Sequence, residues 1–181
     1  MKFHATRLPG AYVVELEPHA DERGFFARAF CEREFAAHGL PTRFPQCNLS
    51  RNERTGTLRG MHFQDAACPE AKLVRAVTGA IYDVIVDLRP TSPTFLRSFG
   101  VELSAENARA LYVPEHFAHG FVTTQERTDV YYHMSEFFRP EGARGFRWND
   151  PQVAIQWPIV PTVIAERDAR YADFDPGTCH G

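Results

Sequence analysis

Histidine, glutamine and glycine crowd into Gly56–Gln64 (GTLRGMHFQ), where strand alternation puts Leu58, Gly60, His62 and Gln64 on one face. An imidazole ordinarily titrates at about 6.5, so it can take or give a proton near neutral pH. Glycine inside a strand weakens it, which suggests that a ligand approaches closely at Gly60. A core histidine satisfied by hydrogen bonds is the competing account. A second stretch, Pro114–Phe121 (PEHFAHGF), holds a His-x-x-His pair that invites a metal reading. Metal sites need three or four converging ligands, and the best partner strand offers only His62, with Gly at 60 and Gln at 64. A third, Asp129–Phe138 (DVYYHMSEFF), has adjacent tyrosines that must point to opposite faces. The inner phenol could serve as a general acid or simply fill the core. Finally, only two of the 20 basic residues are lysines, Lys2 and Lys72. Lys72 opens a strand-like run, and lysine brings a compact, tunable charge that arginine does not.

The elements that would carry these residues are short and β-like. Lys72–Val77 and Ala80–Leu88 read as two strands about a tight Thr78-Gly79 turn, and Arg89–Pro93 closes the second. Further strands are expected at 11–16, 25–30, 44–49, 57–64, 95–103, 110–113, 121–124, 129–138 and 160–164. One short helix is expected over Cys31–His38 before Gly39, a capped turn over 104–108 and another turn over 166–171. About ten strands with so little helix argue for an all-β sandwich or barrel that holds one ligand in its mouth.

Composition narrows the class. With 181 residues and 44% hydrophobic content, one domain with a real core over 1–181 is expected. A net charge of −3 removes the simplest case for nucleic-acid binding. No apolar run approaches a membrane span, and the N-terminal MKFHATRLPG has no apolar signal core, so the expected location is cytoplasmic. Four scattered cysteines, Cys31, Cys47, Cys68 and Cys179, suit reduced thiols.

Taken in order, the motifs resemble a known family. They are Asp21-Glu22-Arg23-Gly24-Phe25-Phe26, Gln46-x-Asn48-x-Ser50, Leu58–Gln64, Ala71-Lys72-Leu73-Val74-Arg75, Gly79 with Asp83–Arg89, Leu103–Asn107, Val113-Pro114, Phe117–Phe121 and Trp148–Pro151. Over about residues 7–171 the chain is similar to the dTDP-4-dehydrorhamnose 3,5-epimerases. The resemblance implies a cupin-type jelly roll with a few short helices, without metal or organic cofactor. It also implies a homodimer whose N-terminal segments reach into the partner. The implied reaction inverts C3 and C5 of a nucleotide-linked 4-keto-6-deoxyhexose, a step toward dTDP-L-rhamnose for bacterial surface polysaccharide.

By the same resemblance, His62 is the base, Asp168 orients its imidazole, Tyr132 returns a proton from the opposite face, and Lys72 steadies negative charge on the C4 oxygen. Arg59 corresponds to a diphosphate ligand. Arg23 and Phe26 correspond to residues inserted toward the nucleotide of a neighbouring subunit. Gln46, Asn48, His119 and Arg170 correspond to further binding positions. Three departures stand out: His116 where the family has Gly, Phe138 where Tyr is common, and Ala143 in place of a Glu. If position 116 needs a positive φ, histidine is strained there. A monoepimerase, or an epimerase of another nucleotide sugar, would share every catalytic residue. A metal-dependent cupin would use His62, His116 and His119. A cupin that only binds sugar nucleotides would not need His62, Lys72, Tyr132 and Asp168 together. The segment 172–181 reads as a flexible tail.

Overall fold

Short segments, many of them ended by Pro, Gly or a polar residue, become strands throughout the computed structural model, which describes residues 1–179. Among the described residues these are β1 (Lys2–Ala5), β2 (Tyr12–Glu15), β3 (His19–Asp21), β4 (Gly24–Phe26), β5 (Gln46–Asn52), β6 (Thr57–Gln64), β7 (Lys72–Thr78), β8 (Ala80–Asp87), β9 (Ser98–Ser104), β10 (Arg109–Val113), β11 (Phe117–Thr123), β12 (Thr128–Met134), β13 (Ala143–Gly145) and β14 (Val163–Ile164). The α-helices are α1 (Glu32–Ala37) and α2 (Glu166–Ala169), with short 3-10 helices at Pro140–Gly142 and Pro176–Cys179. No described helix is long and apolar enough to cross a membrane.

Two sheets form the body. One runs β1-β2-β10-β7-β12-β5; the other runs β13-β6-β11-β8-β9, with β14 beside β6. Val74, Leu111 and Val130 from the first sheet meet Ile81, Ile85, Phe117 and Phe121 from the second to form the central core. The outer face of the second sheet, with Met61, Val84 and Val86, is covered by Phe146, Val153 and Phe174 of the C-terminal segment. The outer face of the first, with Val14, Leu73 and Tyr112, is covered by Phe35 of α1. The architecture is all-β, a cupin-type jelly roll with a few short helices. Phe174, in the segment expected to be a flexible tail, is buried and its N–H reaches Asp150 at 2.6 Å. Residues 180 and 181 of that segment lie outside the described residues.

One local expectation changes. The tight turn at Thr78-Gly79 exists, but β7 and β8 are not paired with each other; they belong to different sheets. Gly79, at φ +64°, turns the chain across the sandwich, and a Cβ there would lie 2.2 Å from Thr128 Oγ1. Local alternation says where strands are but not which strands they join. At Gly60 a neighbouring strand's backbone is itself a reason for glycine. Gly60 has φ +141°, and a Cβ on it would stand 2.6 Å from Gly120 Cα of β11.

His116 sits at φ +61°, so the histidine departure carries the backbone strain that a glycine would avoid. Its side chain is exposed and contributes little packing. His116→Gly should therefore raise unfolding stability by up to about 1 kcal/mol, less glycine's own entropic cost. Urea denaturation checks this, and a loss of stability would mean that the side chain contributes more than the strain costs.

Candidate active site

Towards one end of the sandwich the inward rows change from apolar to polar. On the first sheet the register aligns Gln46, Met134 and Lys72 in one row and Asn48, Tyr132 and Val74 in the next. On the opposite sheet His62 of β6 lies beside His119 of β11. These rows border a cleft with two adjoining lobes of about 460 and 490 Å³. His62, Lys72, Tyr132, Leu49 and Arg167 line both. The first lobe adds Gln46, Asn48, Gln64, Glu70, Phe138 and Ala143. The second adds Arg51, Arg59, His119, Phe121 and Asp168.

Simple alternation would place Arg59 on the face opposite His62, yet both line the cleft. The β6–β11 register explains this: His62 pairs with His119 and Arg59 with Phe121, so three steps on β6 match two on β11. The extra residue is a bulge that re-aims the side chain, and the Gly60–Gly120 contact accommodates it. Arg59 is then held by Asn52, whose Oδ1 accepts from its Nε at 2.8 Å.

The parallel pairing of β14 with β6 brings α2 against the histidine strand. His62 Nε2 lies 2.7 Å from Asp168 Oδ1, and the Gly60 N–H donates to Asp168 Oδ2 at 3.2 Å. Burial alone would raise the Asp168 carboxyl. Its hydrogen bond and charge interaction with His62, helped by the Gly60 N–H, outweigh burial and hold it below the ordinary carboxylate range. With Nε2 turned to the carboxylate, Nδ1 is the nitrogen left to exchange a proton in the cleft. The Tyr171 ring stands edge-on to His62, 6.0 Å between centroids. A second such pair stands alongside: His119 Nε2 lies 2.7 Å from Asp83 Oδ1, with Asp83 fully buried. Across the cleft Lys72 Nζ lies 2.8 Å from Glu70 Oε1.

Thus the structure brings together His62, Lys72, Tyr132, Asp168, Arg59, Gln46, Asn48, His119 and Phe138. The rest lie elsewhere in the chain. Arg170 is exposed and ion-paired to Glu166 at 2.5 Å; the arginine of α2 that lines the cleft is Arg167, whose Nε donates to Tyr171 Oη at 2.8 Å. Arg23 pairs with Asp21 at the tip of the β3–β4 hairpin, where Phe26 is 75% exposed. His116 lines another pocket, of about 190 Å³, with Phe63, Leu88 and Pro90. His62, His116 and His119 therefore do not converge, and no group of three or more potential metal ligands occurs among the described residues. Sequence reasoning missed Arg167, Asp83 and Glu70. Glu70 alone had a local signal, an acid two residues before the interior lysine.

Comparison with known proteins gives the family. Residues 5–175 match the family model of dTDP-4-dehydrorhamnose 3,5-epimerase. The chain is 43% identical over 173 residues to the dTDP-4-dehydrorhamnose 3,5-epimerase of Methanothermobacter thermautotrophicus, covering 94% of this chain and 92% of that one. A Bacillus anthracis dTDP-4-dehydrorhamnose 3,5-epimerase crystallised with TDP and PPi superposes with a TM-score of 0.92 at 38% identity, covering 96% of this chain and 99% of that one. A Legionella pneumophila dTDP-6-deoxy-D-glucose-3,5-epimerase in complex with dTDP-4-keto-L-rhamnose superposes with a TM-score of 0.91 at 35% identity, covering 98% and 96%. With its fold and nearly all of its length matched in this way, the chain belongs to the dTDP-4-dehydrorhamnose 3,5-epimerase family.

Proposed function

We propose that this chain is an isomerase that converts dTDP-4-dehydro-6-deoxy-D-glucose to dTDP-4-dehydro-L-rhamnose by inverting C3 and C5. A ketone at C4 acidifies the C–H bonds at both neighbours, so each inversion needs a base on one face, an acid on the other, and a cation for the enolate oxygen. The observation that carries the reading is the arrangement across the cleft: His62 on one sheet, paired with Asp168 of α2, and Tyr132 and Lys72 on the other sheet. In this reading His62 takes the proton, Asp168 orients and balances the imidazolium, Lys72 meets the enolate oxygen, and Tyr132 returns a proton from the far side.

The arginines of the second lobe, Arg59 above all, suit the diphosphate; His119 and Arg167 stand beside them. Gln46, Asn48 and Phe138 line the other lobe. A homodimer belongs to the same reading. Phe25 and Phe26 are 58% and 75% exposed on the β3–β4 hairpin, a placement that suits cover by a second copy and delivery of Arg23 and Phe26 to its cleft. A cytoplasmic location fits the free thiols of Cys31, Cys47 and Cys68.

Incubation with the dTDP-4-keto-6-deoxyglucose substrate in deuterated water, followed by proton NMR, tests the reading. Deuterium should enter at C3 and C5. Entry at one carbon alone would make the protein a monoepimerase, and none would refute proton abstraction on this substrate.

A further inference from the structure

Glu70 is a buried carboxylate with one polar contact. Its side chain is 6% exposed, its Oε1 lies 2.8 Å from Lys72 Nζ, and its Oε2 is buried without a hydrogen-bond partner. No backbone N–H and no other side chain binds it among the described residues, so it does not tie the segment before β7 to the fold. Burying a carboxylate is costly unless it is paired, and a pair is weak evidence of stability in itself. The lysine it faces is the only one inside the molecule, with a side chain 10% exposed in both cleft lobes. Lysine is a point charge on a flexible four-carbon stem, so its strand fixes its root but not its ammonium. In the described structure Glu70 is the only group that does. One of the three ammonium N–H bonds goes to Glu70, which leaves two for the cleft.

We propose that Glu70 is a positioning residue for the reaction: it holds the Lys72 ammonium aimed at the oxygen on which negative charge develops. This rests on the epimerase reading, because it acts only through the role assigned there to Lys72. It predicts a loss in turnover and not in binding. Oxyanion stabilisation is realised in the transition state, and so is the benefit of aiming the group that provides it.

The test is a double-mutant cycle on C3 and C5 exchange with the keto sugar, with dTDP affinity and thermal melting measured on every variant. Glu70→Gln keeps the shape and removes the charge; kcat should fall about 10- to 100-fold with KM and dTDP affinity within about 3-fold. Glu70→Asp keeps the charge and should retain more activity. In a Lys72→Met background the same Glu70→Gln change should cost less than about 2-fold, because the group it acts through is gone. Additive losses in that background, or a loss of dTDP affinity that matches the loss in rate, would overturn the proposal. So would Glu70→Gln with wild-type kcat. Absence of exchange in the wild-type protein would refute the epimerase reading, and the role of Glu70 with it; wild-type exchange with additive losses refutes the role of Glu70 alone.

Discussion

His62→Ala should abolish solvent exchange at both sugar carbons, lowering kcat by about 10³-fold or more, while dTDP affinity stays within a few-fold. The split follows from the cleft. The arginines suited to the diphosphate line the second lobe and Arg59 is held independently, by Asn52. His62, which lines both lobes, presents an imidazole already oriented by the buried carboxylate of Asp168. Deleting the imidazole also leaves Asp168, which is 4% exposed, with only the Gly60 N–H. An uncompensated buried acceptor costs about 1–3 kcal/mol, so the variant should melt lower as well. The pH dependence has a definite sign. Asp168 is held below its ordinary value when folded, so its contribution is present above the ordinary carboxylate range and is lost as pH falls through the lower folded value. His62→Ala weakens that depression, and the difference in melting temperature between the two proteins should shrink on strong acidification. Persistent exchange in a folded His62→Ala protein would remove His62 from the role of base.

What the sequence made legible was local. Strand β6 begins and ends where alternation places it, at Thr57 and Gln64, and the helix at 32–37 lies within the expected span before Gly39. Strand partners were not legible, because pairing is settled by how two faces of the whole chain are buried. One glycine between β7 and β8 sends them to different sheets. The site shows the same divide. Lys72 stood out by residue type, and His62 by type and neighbours. His62 and Asp168, 106 residues apart, meet only because β14 lies parallel to β6, a contact between two residues of each strand that no periodicity announces. Their pairing was expected from family resemblance and not from spacing. Arg59 shares the cleft with His62 through a bulge, and a single inserted residue reverses what alternation implies. The choice of Arg167 over Arg170 for the cleft is likewise set by which side of a four-residue helix faces β6.

Tyr132→Phe should separate proton removal from inversion. Tyr132 stands on β12, between Asn48 of β5 and Val74 of β7, in the sheet opposite the one that carries His62. Its body is packed against the central core, so the ring has a fixed place and phenylalanine can occupy it with little rearrangement. Only the hydroxyl is lost. The base still faces the sugar and Lys72 still faces the enolate oxygen, so carbon–hydrogen cleavage continues. Without a donor on the far side, the proton returns mainly from the side of His62, where solvent deuterium has replaced it. The expected result is therefore deuterium in recovered starting sugar, with configuration retained, while formation of inverted product drops about 10²-fold or more. Proton NMR distinguishes these outcomes in one experiment, since washout removes a signal and inversion changes its couplings. Loss of washout and inversion to the same degree would mean that Tyr132 acts before or during proton removal. Inversion at the wild-type rate would mean that water or another side chain donates the proton, and the opposite-face arrangement of His62 and Tyr132 would then no longer account for the stereochemistry.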